Sequence, residues 1–240
     1  MKILAIIPAR GGSKRIPNKN TKKFLGKPLI AWAIESAKKS KLIDKILVTT
    51  DNEKIASISR SYGAETPFIR PSHLANDTVG IEPVLLHALE WLKKNEDYSP
   101  DAIILLQTTN PLRLTRHIDE AIRLFRDTDY DSLVSVTEVV ANNNPFWLLK
   151  DEGGGKVKLL TGDSLKDIKT RSQDLPKCYS RNDILYIFKP KNLYEKKPNL
   201  YGDKVKLFIM DEIYHTDINT PEDWEITKGK IKRLRELKHL

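Results

Sequence analysis

Apolar residues fall into short compact runs that alternate with stretches of helical spacing. Ile3–Pro8 (ILAIIP) is a continuous apolar run that stops at a loop with two adjacent glycines, the pattern of a strand buried on both faces. Positions 29–37 have helical spacing, with Leu29, Trp32, Ala33 and Ser36 on one face, and the lysines at 38, 39 and 41 complement a helix C-terminus. KILVTT at 45–50 predicts a second strand, and 52–61 a helix with Asp51 as its N-cap and Tyr62-Gly63 as its stop. A short strand at 67–69, a loop at 70–78 and a helix at 83–94 follow. A strand at 102–107, a helix at Thr115–Arg126 capped by Thr115, and a strand at 132–139 complete this run. Such alternation predicts an α/β fold, a mostly parallel sheet flanked by helices.

After Glu138 the rhythm breaks. Residues 141–180 contain NNNPF, a Gly153-Gly154-Gly155 tract and few periodic segments, so they are expected to form an excursion from the sheet, a hairpin-like arm. Strand patterns return at 184–188 and Val205–Ile209, and a basic helix starts near Pro221 with Thr220 as its cap. At 240 residues the chain suits a single domain, 1–240, with 141–180 as an inserted arm.

Composition adds limits. Hydrophobic content of 40% and charged content of 30% are those of a globular protein. The apolar runs are far short of the roughly 20 residues that span a bilayer. Met1-Lys2 leads directly into the first strand without a secretory h-region, so a soluble, cytoplasmic protein that does not bind membranes is expected. One cysteine, Cys178, allows no internal disulfide, and His73, His87, His117, His215 and His239 share no metal-ligand spacing.

The formal charge of +9 is unevenly spread. Residues 1–41 hold eleven Lys/Arg against Glu35 alone, a net of +10, and 228–240 carry a net of +5, which leaves the middle at −6. Either a nucleic-acid binder or an enzyme holding a small polyanion can show this pattern.

The loop after the first strand reads Arg10-Gly11-Gly12-Ser13-Lys14-Arg15-Ile16-Pro17-Asn18-Lys19-Asn20. In an open α/β sheet, ligands bind beyond the carboxyl ends of the strands, where this loop lies. Adjacent glycines let backbone N–H groups converge on an anion. Arg10, Lys14, Arg15 and Lys19 add four cations with no acid among them, a combination that suits a triphosphate. The spacing matches neither the P-loop nor the dinucleotide fingerprint.

IIPARGGSKRIPNKN resembles the opening motif of the acylneuraminate cytidylyltransferases, which activate sialic acid and related nonulosonic acids as CMP-sugars. The resemblance continues, in order, through RPSHLANDT (70–78), LLQTTNPLR (105–113), RNDILYIF (181–188) and TDINTPEDW (216–224). The related Kdo cytidylyltransferases carry a different first loop. The resemblance implies a Rossmann-like fold of the nucleotidyltransferase type with a dimerisation excursion. It also implies attack of a sugar's anomeric hydroxyl on the α-phosphorus of CTP, with pyrophosphate released.

Residue by residue, the resemblance implies that Arg10, Gly11, Gly12, Ser13 and Lys14 form the phosphate-handling loop and that Asn20 contacts the nucleotide. Lys19, then Arg10, is the candidate for stabilising charge at the α-phosphate. Arg70 would meet the cytidine and Gln107 the sugar. Asp217 resembles the first aspartate of a Mg²⁺-binding Asp-x-Asp element, whose second position here is Asn219, an oxygen donor without charge. Asp211 and Glu212 lie nearby as replacements. At Val79-Gly80-Ile81 the chain also departs from relatives that carry small hydroxyl residues there.

The arm would form a homodimer, with Phe146 and Trp147 as apolar contacts, and would lend Arg171 and Arg181, more weakly Lys150, to the carboxylate of a sugar. The implied acid is of sialic, legionaminic or pseudaminic type, and the implied pathway is surface polysaccharide biosynthesis. A Kdo-type enzyme and a non-catalytic nucleotide or nucleic-acid binding protein are the alternatives. A triphosphate with a sugar carboxylate explains the charge better than nucleic acid, because only the C-terminal helix could supply a broad basic face.

Overall fold

The computed structural model describes residues 1–237, so His239 lies outside the described residues. The chain opens with β1 (Ile3–Pro8), and a ribbon of β2 (Lys23–Phe24) and β3 (Lys27–Pro28) leads into α1 (Leu29–Lys38). Next come β4 (Lys45–Thr49), α2 (Glu53–Tyr62), α3 (Ile81–Glu96), β5 (Ala102–Leu105), α4 (Thr115–Arg126) and β6 (Ser132–Glu138). A small hairpin of β7 (Leu149–Asp151) and β8 (Val157–Leu159) precedes β9 (Tyr179–Phe188), β10 (Val205–Ile209) and α5 (Pro221–Glu236).

Six strands make the central sheet in the order β10-β6-β9-β5-β1-β4. β1 runs parallel to β4 and β5, and β10 runs parallel to β6. Only β9 is antiparallel, wedged between β5 and β6. Alternate residues of β1 point to opposite faces. Ile3, Ala5 and Ile7 pack with Ile30 and Ile34 of α1 and Ile118 and Ile122 of α4. Leu4 and Ile6 pack with Leu85, Leu89 and Leu92 of α3. A separate core joins Ile16 of the first loop and Phe24 of β2 to Trp224, Ile231 and Leu234 of α5. The expected α/β class and the strand–helix alternation are therefore present, and among the described residues no helix is long and apolar enough to cross a membrane.

Several local expectations are corrected. α2 is capped by Asn52, whose side chain accepts from Ile55 N at 3.1 Å; Asp51 instead turns to Gly11 and Arg70. Gly63 ends that helix with φ 96°, a left-handed conformation that glycine adopts freely. Thr115 does not cap α4. His117 Nδ1 accepts the Leu114 N–H at 3.3 Å, and the Thr115 hydroxyl donates to Ser36 O. The 67–69 strand does not form. Pairing stops at a single bridge from Glu65 to Leu47, and Pro67, lacking an N–H, cannot extend it. β9 starts well before 184, with Tyr179 paired to Glu138, and a bulge opposite Val134 and Val136 interrupts the ladder. Thr220 caps α5 as expected, in a reciprocal arrangement with Asp223.

Within 141–180, the β7–β8 hairpin stands apart from the central sheet. Its turn runs through Gly153, Gly154 and Gly155, all with positive φ.

His117 carries a testable consequence. Burial, reinforced by Arg116 and Arg113, pulls its pKa down from the usual 6.5 to about 4. The unfolded chain therefore takes up a proton near pH 6.5 that the folded chain refuses until about pH 4. Stability should be complete above pH 6.5 and fall as pH drops from there towards 4. His117→Gln should flatten that part of the profile in urea titrations at stepped pH.

Candidate functional site

A cavity of about 640 Å³ opens at the carboxyl ends of β1 and β5. Three segments far apart in sequence form its walls. The loop after β1 contributes Arg10, Ser13, Lys14, Arg15, Lys19 and Asn20; the stretch before α3 contributes Arg70, Asp77 and Gly80; and Gln107, Thr108 and Thr109 follow β5. Asn219 closes the rim.

Backbone and side-chain bonds hold these segments in register. Ala9 N donates to Thr49 O at 3.0 Å, and Arg70 N to Thr50 O at 2.7 Å, so the first loop and Arg70 are both tied to the end of β4. Asn20 is a brace: its Nδ2 donates to Arg10 O at 3.0 Å, and its Oδ1 accepts from the Thr108 hydroxyl at 2.8 Å. Lys19 Nζ donates to Ile218 O at 2.9 Å, and Ile218 N to Thr109 O at 3.1 Å, which draws the 216–220 segment to the same rim.

The charge is strongly asymmetric. Five cations line the cavity against one carboxylate, Asp77, which pairs with both Arg10 and Lys14. Those two partners, Lys14 first, hold the Asp77 carboxyl below the usual carboxylate range. Burial lowers the Lys19 pKa; Asp217 opposes that shift, while Arg10 and Arg15 reinforce it. Arg70 is 4% exposed, with its guanidinium 3.6 Å from Asp51, and burial likewise lowers its pKa. Such a site is built to receive a multiply charged anion.

Arg10, Ser13, Lys14, Lys19, Asn20, Arg70, Gln107 and Asn219 thus come together in one cavity. Gly11 and Gly12 do not line it. The Gly11 N–H is taken by Asp51 Oδ1 at 2.9 Å, and a Cβ at Gly11 would come 3.0 Å from the Asn52 amide. Arg171 lies on the arm, where it grips Asp174 at 2.7 Å, and Arg181 donates to the Tyr201 hydroxyl at 2.6 Å; neither lines the cavity. Lys150, also on the arm, pairs with Glu152.

Asp217 is exposed beside the rim and accepts the Asn219 amide N–H at 2.5 Å. Among the described residues no three carboxylate, His or Cys side chains gather in a metal-binding group. Asp217 with the Asn219 carbonyl offers two hard oxygen donors. That set suits a Mg²⁺ ion that takes its remaining ligands from phosphates and water, and is too small for a protein-only cage.

Sequence reasoning passed over four residues of consequence. Asp77 is the carboxylate that faces the cations in the cavity, Asp51 backs Arg70 from outside its lining, and Thr108 anchors Asn20. Arg113 is 2% exposed, with its Nη1 donating to Gln107 O at 3.0 Å and Ile184 O at 2.8 Å. Asp77, Thr108 and Arg113 sit inside the 70–78 and 105–113 motifs, but nothing local reveals partners so distant in the chain.

A family model described as cytidylyltransferase matches residues 4–240. The chain is 38% identical over 234 residues to a post-translational flagellin modification protein B of Campylobacter coli, covering 96% of this chain and 95% of that protein. It is 34% identical over 237 residues to a CMP-N,N'-diacetyllegionaminic acid synthase of Legionella pneumophila, covering 98% of each. A pseudaminic acid cytidylyltransferase of Campylobacter jejuni is 32% identical over 238 residues, at 95% of each. Among solved structures, a CMP:2-keto-3-deoxy-manno-octonic acid synthetase complexed with CTP superposes with a TM-score of 0.70 over 97% of this chain and 99% of that one, at 16% identity, a likeness of fold.

The brace can be tested apart from any reaction. Asn20→Ala loses both bonds and should lower stability to denaturant by about 2 kcal/mol, and Thr108→Val, which loses one, by about 1 kcal/mol. Equal stability of all three proteins would rule the brace out.

Proposed function

The chain belongs to the cytidylyltransferase family, and on that premise we propose that it couples CTP to a nonulosonic acid of sialic, legionaminic or pseudaminic type. The products are the CMP-sugar and pyrophosphate. The observation that carries this reading is the cavity with five cations and one carboxylate at the carboxyl ends of β1 and β5. The names of the relatives support a nonulosonic acid as acceptor.

The anomeric hydroxyl of the acid attacks the α-phosphorus of CTP. A new phosphorus–oxygen bond forms as the bond to the β-phosphate oxygen breaks, pyrophosphate leaves with that electron pair, and the hydroxyl proton passes to solvent water. Such a transfer depends on alignment and charge neutralisation. Arg10 and Lys14, next to Ser13, grip the phosphates. Lys19, steered by Ile218 O and partly buried, meets the charge at the α-phosphate. Asn20 keeps the first loop in shape for the nucleotide, and Arg70 meets the cytidine. Gln107, set at the end of β5 by Arg113, contacts the acid. Asp217 and the Asn219 carbonyl would hold Mg²⁺, which supplies charge neutralisation between phosphates when bound.

Arg171 and Arg181 lie outside the cavity of their own chain, so this reading gives them the acid's carboxylate in a neighbouring subunit, in a homodimer formed through 141–180. Exposed Val140, Leu148, Leu149, Val157, Leu160, Leu165 and Ile168 support such a contact. The substrate implies the cytoplasm, where nucleoside triphosphates are held. A surface polysaccharide is the destination we infer for the sugar, and a flagellar protein is the second, given the relative named for flagellin modification.

Pyrophosphate release should be measured with CTP, Mg²⁺ and a panel of sialic, legionaminic and pseudaminic acids. Release with at least one is expected, and CTP binding without release from any would overturn the reaction. Lys19→Ala should cut kcat by about 10²-fold with the fold intact; an unchanged rate would remove Lys19 from the α-phosphate. Asp217→Ala should raise the Mg²⁺ concentration for half-maximal rate about tenfold or more. An identical Mg²⁺ titration would exclude Asp217 as a ligand.

A further inference from the structure

Asp77 is the one carboxylate among the residues that line the cavity. Its Oδ1 takes Arg10 Nη1 and its Oδ2 takes Lys14 Nζ, so two oxygens on one centre join a guanidinium and an ammonium of the first loop. Those two side chains would hold a phosphate group in the same manner. Asp77 belongs to a different segment, the turn that follows Arg70 and precedes α3.

We propose that Asp77 is an internal stand-in for phosphate. It holds Arg10 and Lys14 close together when no nucleotide is present, and CTP displaces it, so its carboxylate limits the affinity of the site for CTP and for pyrophosphate. This rests on reading the cavity as a triphosphate site.

Exposure and charge both favour exchange. The side chains of Arg10, Lys14 and Asp77 are 39%, 80% and 37% exposed, so water screens these pairs and they are readily broken. Arg70, at 4% exposure beside Asp51, belongs to the fixed wall. When phosphate oxygens take the two cations, a carboxylate left between them meets like charge and is driven out. Lys14 and Arg10 hold the Asp77 pKa below its usual value, so the carboxylate remains a charged competitor at neutral pH.

The turn that carries Asp77 is locally self-contained. The Asn76 side chain accepts from Thr78 N at 3.2 Å and Val79 N at 3.1 Å and donates to His73 O at 3.1 Å. Asp77 can therefore swing aside without unwinding α3. Its return between Arg10 and Lys14 favours departure of pyrophosphate, which lacks the cytidine that anchors CTP.

Inorganic pyrophosphate titrated calorimetrically into the full chain tests this. Asp77→Asn, which removes the competing charge at constant shape, should bind pyrophosphate about fivefold more tightly than the native chain. KM for CTP should fall by a similar factor while KM for the acid stays unchanged. Asp77→Ser should behave alike. Pyrophosphate affinity unchanged or weaker in both variants would overturn the proposal, because a residue that only orients Arg10 and Lys14 would weaken binding when lost. A native chain that binds pyrophosphate but releases none from CTP with any acid sinks the proposed reaction and leaves the Asp77 comparison standing. Normal turnover with unchanged pyrophosphate affinity in the variants sinks the stand-in role alone.

Discussion

Arg10, Lys14, Arg15, Lys19 and Arg70 line one cavity, and their mutual repulsion is the constraint that the surrounding structure answers. Two unit charges about 8 Å apart repel by about 2 kcal/mol at an effective dielectric constant of about 20. An exposed ion pair returns about 0–1 kcal/mol, so side-chain pairing alone cannot hold five cations together. The remainder comes from packing and main chain. Ile16 and Phe24 anchor the first loop in a core shared with Trp224, Ile231 and Leu234, and the Asn20 brace and the Lys19–Ile218 bond tie that loop to β5 and to the segment before α5. The basic C-terminal helix therefore matters to the site through its apolar face.

The antiparallel strand is the second organising feature. β9 enters between β5 and β6, where a purely parallel sheet would have left those strands adjacent, and the arm is the long connection from β6 to this antiparallel neighbour. Arg113 spans the junction, bonded to main-chain carbonyls on both sides, so the edge where Gln107 emerges is fastened to β9. A buried guanidinium with only carbonyl partners costs desolvation, which its pKa, lowered to about 9 by burial, records. The bulge in β9, with Asp183 at φ 53°, accommodates Asn182 and Asn110, which bond into the same region.

Much of this was legible along the chain. The alternation of apolar runs and helical spacing identifies the five helices and the strands β1, β4, β5, β6 and β10, because burial on one or both faces leaves a periodic trace. The opening loop declares itself by composition, with Arg10, Lys14, Arg15 and Lys19 crowded around two glycines after the first strand. Helix caps were less legible. Asp51 and Asn52 are both good caps, as is Thr115, and the outcome turned on distant partners: Gly11 and Arg70 drew Asp51 away, and Ser36 O took the Thr115 hydroxyl, leaving the neighbouring His117 as the acceptor at α4. The gathering of Asp77 onto Arg10 and Lys14 leaves no local mark at all.

By itself, the sequence determined the fold class, the polyphosphate-like charge of the first loop and the family to which the motifs belong, since each is written in short-range spacing. Only the tertiary structure decided that β9 runs antiparallel, that Asn20 acts as a brace, that Gly11 gives its N–H to Asp51, and that one carboxylate faces five cations. The physical reason is range. Strand periodicity and loop charge arise from neighbours along the chain, whereas compensation of charge and satisfaction of buried polar groups depend on which distant segments the core brings within about 3 Å of one another.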